Sequence, residues 1–376
     1  YKLIIMAMCK DILRVMWRVL TLSGILLFIS CENGVEEASS SYVSFEIANS
    51  QDWNEVTKGQ ELNNVTLRSS GFGVLAYYTE DDDWSQAAFA TPNFMNNTRV
   101  TSSNSGKSWQ YAPLKYWPHN QKDKVTFFAY APYNGNLAVS DVSGSKVDFE
   151  IAQDVDNQKD ISWSNSSTMN LNKNVNAVNF TFRHALARIG FAVKASADAV
   201  SPLREEITMT IKKVTIGYGA GATGGFYTSG TLDLNNTTNT PAWSSISGST
   251  SFSLDPANFV GNGSSGFALT SENSSETQRL NRDDAYIMVL PQDFSSNGFR
   301  LFVEYEVSLL SKNQSVDYHT YTNRGFADVK LNLEANKTYI IYINTDLKSI
   351  SIDDISITQW DEDGGSVVIP GIVPEI

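Results

Sequence analysis

Phe299-Arg300-Leu301-Phe302-Val303-Glu304-Tyr305-Glu306-Val307-Ser308-Leu309 decides the fold class. Phe299, Leu301, Val303, Tyr305, Val307 and Leu309 fall on one face of an extended chain, and Arg300, Glu304, Glu306 and Ser308 on the other. Period two marks a strand with one face in a core. The pattern spreads outward from there. Val43, Phe45 and Ile47 alternate with Ser44 and Glu46, and Tyr339, Ile341 and Ile343 repeat it near the C-terminus. Ile207, Met209 and Ile211 hold one phase, then Val214 and Ile216 resume in the other. That slip at Lys212-Lys213 predicts a β-bulge, because one extra residue turns every later side chain to the opposite face. Tyr286 to Leu290 is apolar throughout and reads as a core strand covered on both faces.

No stretch beyond about ten residues carries a helical period, and Ser201 to Glu206 is at most a short turn of helix. Gly217 to Gly230, Asn235 to Ser251 and Asn258 to Thr277 are rich in Gly, Ser, Asn and Thr and read as loops between strands. Many short strands joined by such turns predict an all-β protein made of β-sandwiches. The polar stretch Asn172 to Asn176 precedes the strand Val178 to Phe182 and marks an expected boundary. The expected domains are 42–174 and 175–361, each large enough for its own core.

Composition narrows the function. The chain has 376 residues, 41% of them apolar and only 18% charged, so it can fill real cores. Twenty-eight basic against 41 acidic residues give a net charge of −13, which argues against nucleic acid as a partner. Three histidines and two cysteines leave little for a metal site or a disulfide framework, and no cofactor is expected.

The N-terminus reads as a sorting signal over residues 1–30. Lys2, Lys10, Arg14 and Arg18 precede the 12-residue stretch Val19 to Ser30. That is too short for a bilayer span of about 20 residues but suits a secretory segment. Leu27-Phe28-Ile29-Ser30-Cys31 resembles a bacterial lipobox, which implies cleavage between Ser30 and Cys31 and lipid on Cys31. The alternatives are a plain signal peptide with an incidental cysteine, or a buried core cysteine. Removing that segment leaves 24 basic and 40 acidic residues, a net of −16. Glu32, Glu36 and Glu37 follow in a tether, 31–41. They resemble the export signal of Bacteroidota surface lipoproteins, or form only a solvated acidic tether.

Trp109-Gln110-Tyr111-Ala112-Pro113-Leu114-Lys115-Tyr116-Trp117-Pro118 is followed by Val125-Thr126-Phe127-Phe128-Ala129-Tyr130-Ala131-Pro132. Phe72-Gly73-Val74-Leu75-Ala76-Tyr77-Tyr78 precedes them; Gln158-Lys159-Asp160 and Phe182-Arg183-His184-Ala185-Leu186-Ala187-Arg188-Ile189 come after. In this order the motifs resemble the fimbrillin-like family of Bacteroidota, the type V pilins and Mfa-like surface lipoproteins. The resemblance implies two tandem transthyretin-like β-sandwich domains after a lipoprotein signal peptide. It also implies a surface-exposed place on the cell outer membrane, in a fimbrium.

Read from the residues alone, the motifs need no chemistry. Trp109, Tyr111, Tyr116 and Trp117 beside prolines suit the end of a sandwich, with their polar atoms bonded to backbone. A sugar-stacking platform is the functional alternative. His184 reads as a satisfied histidine at a strand-to-turn break rather than as a base. Asp81-Asp82-Asp83, Asp154-Val155-Asp156-Asn157 and Asp361-Glu362-Asp363-Gly364 read as solvated turns, since none continues as a calcium loop. No nucleophile, zinc or phosphate-cradling motif occurs, so an enzyme is not expected.

The expected role is a pilus subunit (stalk, anchor or tip) or an adhesin. Its partners are other pilin subunits, the membrane through the lipid, and a host or bacterial surface receptor or glycan. A monomeric glycan-binding lipoprotein for nutrient capture is the alternative, and a carboxylate-pair hydrolase the third reading. The family resemblance further implies donor-strand assembly. A protease removes the first strand, here Tyr42 to Ala48, and a neighbour's strand fills the groove. Lys58 and Arg68 are the candidate cleavage sites. The candidate donor is the segment Ile350 to Ile369, through Ile355, Ile357, Val367, Val368 and Ile369; the tail, 362–376, is its freer part, with Gly364-Gly365 as a hinge. Ile350 to Trp360 could equally be the last strand of its own domain.

Overall fold

The computed structural model describes residues 41–47, 64–104, 106–164, 168–196, 203–204, 206–217, 225–236, 238–261, 265–310, 318–360 and 367–368. The protein is all-β, as its alternation requires: about 50% of the described residues are strand and 5% helix. Its first large sheet runs Met95–Val100, Phe72–Tyr78, Val125–Ala131, Ser162–Ser164, Phe182–His184, antiparallel throughout. The two central strands are apolar on both faces because both faces are covered. Phe72, Val74, Ala76, Phe127 and Ala129 face one core. Leu75, Tyr77, Phe128 and Tyr130 face a second, larger core that continues into the C-terminal sheets. Burial pushes the Tyr130 hydroxyl up, and its bond to Asn97 Oδ1 at 2.7 Å satisfies it.

The strand Ala187–Ala195 organises the second region. It runs parallel to Lys337–Thr345 over eight residue pairs and antiparallel to Ile287–Val289. Ile287, Met288 and Val289 are all buried, as the apolar run Tyr286 to Leu290 predicted. Lys337–Thr345 then pairs with Ile350–Gln359. A separate sheet sets Ile207–Gly217 against Phe299–Leu310, which pairs in turn with Tyr318–Val329. Its register shifts between Ile211 and Lys213, where the phase slip predicted a bulge.

Two of the expected loops contain strands. Ala242–Ser247 lies within 235–251 and pairs with Ser229–Asp233; Phe267–Leu269 lies within 258–277 and pairs with Ile207–Gly217. The first escapes pattern reading because its anchors, Trp243 and Ile246, are three residues apart. A register shift and a positive φ of 49° at Ser245 break the alternation between them. Strands also pair across residue 174: Lys146–Glu150 with Ser229–Asp233, and Ser162–Ser164 with Phe182–His184.

Candidate functional site

The first strand, Phe45–Ile47, lies parallel to Val178–Phe180 through only three residue pairs. On its other side Val43 N–H donates to Lys115 O at 2.8 Å, and Tyr42 bridges Tyr116. Alternation dictates the rest. Val43, Phe45 and Ile47 point into the smaller core and are buried, while Glu46 between Phe45 and Ile47 is exposed. Phe45 is the hub of that core. Its ring stacks on Phe180 at 5.5 Å and meets Tyr111, Phe127 and Phe72 edge-on at 5.3, 6.0 and 6.3 Å.

The Trp109 to Pro118 stretch forms the lid over this strand. Trp109 packs on Phe72 and Trp117 on Phe127, at 5.2 and 5.7 Å. Tyr111 donates to Val43 O at 2.7 Å. Burial pushes the Tyr111 hydroxyl up, as befits a ring used for packing. Tyr42, Leu114 and Tyr116 remain about half exposed around the entry of the strand.

Arg68 sits in the helix Asn64–Ser70, immediately before Phe72–Tyr78. Its carbonyl accepts from Ser102 N at 3.2 Å, and neighbouring Leu67 is buried. Cleavage there requires this helix to open first, since nicking favours exposed, unbonded backbone. Lys58, Ser30, Cys31 and Ile369 lie outside the described residues.

At the other end of the chain, Ile355 is buried and Ile357 half-buried in the strand Ile350–Gln359 of their own sheet. Val367–Val368 pairs antiparallel with Ser356 and Ile357 of that strand. Between them, Trp360 is held firmly. Its ring stacks on His184 at 4.5 Å and 6°, and the Arg188 guanidinium lies 4.8 Å from its centroid. Arg188 also donates to Trp360 O at 3.1 Å and to Thr338 Oγ1 at 2.6 Å.

His184 Nδ1 bonds Asp160 Oδ2 at 2.6 Å, with both groups buried. The histidine is thus satisfied, as expected, and its partner is the aspartate of the separate Gln158-Lys159-Asp160 motif. Sequence reading missed that pairing and the role of Trp360, because residues 24 and 176 positions away leave no local spacing signal. Gln158 is structural too: its Oε1 accepts from Met288 N at 2.7 Å.

Two of the three acidic stretches lie among the described residues. Asp83 pairs with Lys124 at 2.7 Å, and Asp154 caps the short helix Val155–Asn157. Asp361 to Gly364 lies outside the described residues. Among the described residues, no group of three or more His, Cys, Asp or Glu side chains could hold a metal ion.

An 85-residue stretch is 44% identical to the fimbrium subunit Fim1C of Phocaeicola vulgatus, and spans 22% of this chain and 22% of that subunit. A crystal structure of a fimbrial protein from Bacteroides vulgatus matches with a TM-score of 0.65 at 19% identity, over 85% of this chain and 99% of that one. At that identity the likeness speaks for the fold. The model of the fimbrillin-like family matches residues 63–360, from the helix before the first large sheet to the clamped Trp360. The chain therefore belongs to the fimbrillin-like family.

Proposed function

We propose that this chain is a surface-displayed fimbrial subunit or adhesin, anchored at the outer membrane through lipid on Cys31. In this reading it joins other pilin subunits by strand exchange. The supporting observation is the first strand. It fills the centre of a core with Val43, Phe45 and Ile47, yet only three residue pairs join it to Val178–Phe180. Each such side chain is worth about 1.5–3 kcal/mol when buried. Once the backbone is cut at Lys58 or Arg68, the strand becomes a replaceable plug. A neighbour's Val367, Val368 and Ile369 are the proposed replacement, with Ile355 and Ile357 remaining in their own sheet. We keep two sandwiches, divided near residue 174, as the proposed domain organisation, with strands exchanged across that point.

The reading involves no catalysis, and the buried Asp160–His184 pair is packed beneath Trp360. The test is to treat purified protein with trypsin and look for SDS-resistant ladders, with and without residues 361–376. Ladders that need the tail support the reading; equal ladders without it remove the C-terminal donor. Half-exposed Tyr42, Leu114 and Tyr116 support a second reading, glycan binding by a monomer, for which a glycan array is the test.

A further inference from the structure

The strand Tyr318–Val329 pairs with Phe299–Leu310 over twelve residues without a register shift. It stands at the end of its sheet, with no strand beyond it among the described residues. A sheet edge offers a row of backbone donors and acceptors to any strand that aligns with it. Edges are often blunted by prolines, bulges or shortness. This one has no proline, no bulge and twelve residues.

The side chains specify what can align. The edge strand carries Arg324, Phe326 and Asp328 on its outer face; opposite them stand Glu304, Phe302 and Arg300. Both strands thus bear the same sequence pattern, Arg-x-Phe-x-acid. Antiparallel pairing about the two phenylalanines brings each arginine onto an acid. Arg300 Nε lies 2.9 Å from Asp328 Oδ1, and Arg324 Nε lies 3.5 Å from Glu304 Oε1. The rings meet at 6.3 Å, and each guanidinium covers the diagonal ring, at 4.2 Å for Arg300 on Phe326 and 4.4 Å for Arg324 on Phe302. Phe326 is nevertheless 55% exposed, and the Arg324 and Asp328 side chains are 56% and 53% exposed. The pattern pairs with itself inside the chain and then faces solvent on its free edge.

We propose that a second copy of this chain docks there, edge strand against edge strand, antiparallel about Phe326. Arg324 then faces Asp328 of the second copy, Asp328 faces Arg324 of the second copy, and the two Phe326 rings meet at the two-fold axis. Across the four strands the outer rows read Glu304, Arg324, Asp328, Arg300, alternating in sign at every step. Between them runs a row of four phenylalanines. Opposite charges placed directly across a sheet stabilise it, and like charges oppose it. Parallel docking would set Arg324 against Arg324, so the charges choose the antiparallel arrangement. The contact is isologous, uses up both edges and closes as a dimer instead of running on as a fibre. It does not depend on the fimbrial role.

The test uses the full chain in mild detergent with Cys9→Ser and Cys31→Ser, so that an introduced thiol is the only one. Directly opposed residues in an antiparallel pair lie about 4.5–5.5 Å apart at Cα, within the span of a disulfide. Phe326→Cys is expected to give a disulfide-linked dimer. Arg324→Cys alone forms no disulfide cross-link, whereas Arg324→Cys mixed with Asp328→Cys does. In sedimentation equilibrium the parent chain dimerises with concentration, and Arg324→Glu weakens that about tenfold by setting acid against acid twice. Circular dichroism confirms that each variant keeps its strands. A parent chain that stays monomeric at every concentration overturns the proposal. Cross-linking by Arg324→Cys alone as readily as by the mixed pair does so too.

Discussion

The first strand and the edge strand Tyr318–Val329 are held in opposite ways. Phe45–Ile47 makes three ladder pairs but buries nearly all its apolar side chains among aromatic rings. Tyr318–Val329 makes twelve ladder pairs while leaving Tyr321 and Phe326 in solvent. Packing secures one and backbone pairing the other. A strand held by packing fits its socket through its side chains, so another strand with matching side chains can replace it. One held by its ladder keeps its place whatever its outer face carries, which leaves that face free to vary.

Phe45→Ala should break the comparison at its most sensitive point. Truncating a buried phenylalanine costs about 3–5 kcal/mol, and Phe45 touches four other rings. Denaturant unfolding should therefore show a loss of about 4 kcal/mol. A loss under about 1 kcal/mol would mean that its ladder, not its packing, holds the strand.

His184→Ala extends the test to the clamp at the other end of the chain. It leaves Asp160 buried without its histidine and strips one face from Trp360. Removing one member of a buried pair costs about 3–5 kcal/mol, and denaturant unfolding should show a loss in that range. Hydrogen exchange at Trp360 N–H, bonded to Asn336 O, should quicken in the same variant.

Gly73→Ala sharpens the packing side. A Cβ at Gly73 would lie 2.5 Å from the Tyr130 ring, in a sheet covered on both faces. Overpacking of that kind costs about 1–3 kcal/mol, readable as a lowered unfolding midpoint. The smallest effect belongs to the edge strand. Phe326→Ala, measured at low protein concentration, should change stability by no more than about 0.5 kcal/mol. A larger loss would show that the exposed ring supports its own sheet.

Legibility in the sequence followed the same division. Val43, Phe45 and Ile47 announced themselves by alternation because one face is fully buried. So did Phe299 to Leu309, whose inner face packs in the larger core. The partner strand Tyr318–Val329 gave no such signal. His319, Thr320, Tyr321 and Thr322 are exposed in succession, so no face is consistently apolar. The elements of the clamp were visible singly, as an aspartate, a histidine, an arginine and a tryptophan in four places. Only folding brings strands 160–190 beside the end of Ile350–Gln359, and spacing along the chain carries no trace of that.

Trp360 also sets how the molecule bears load. A pull on the chain beyond it does not peel Ile350–Gln359 away one hydrogen bond at a time. Once the short pairing of Val367–Val368 with Ser356 and Ile357 is lost, the next resistance is a bolt: Trp360 N–H donates to Asn336 O, the Arg188 side chain donates to Trp360 O, and the ring is wedged against His184 and Arg188. Force entering at the tail passes through this bolt into Ala187–Ala195, which lies parallel to Lys337–Thr345 through eight pairs. Tension is shared among these bonds, and the sheet beyond the bolt stays shut until several fail together.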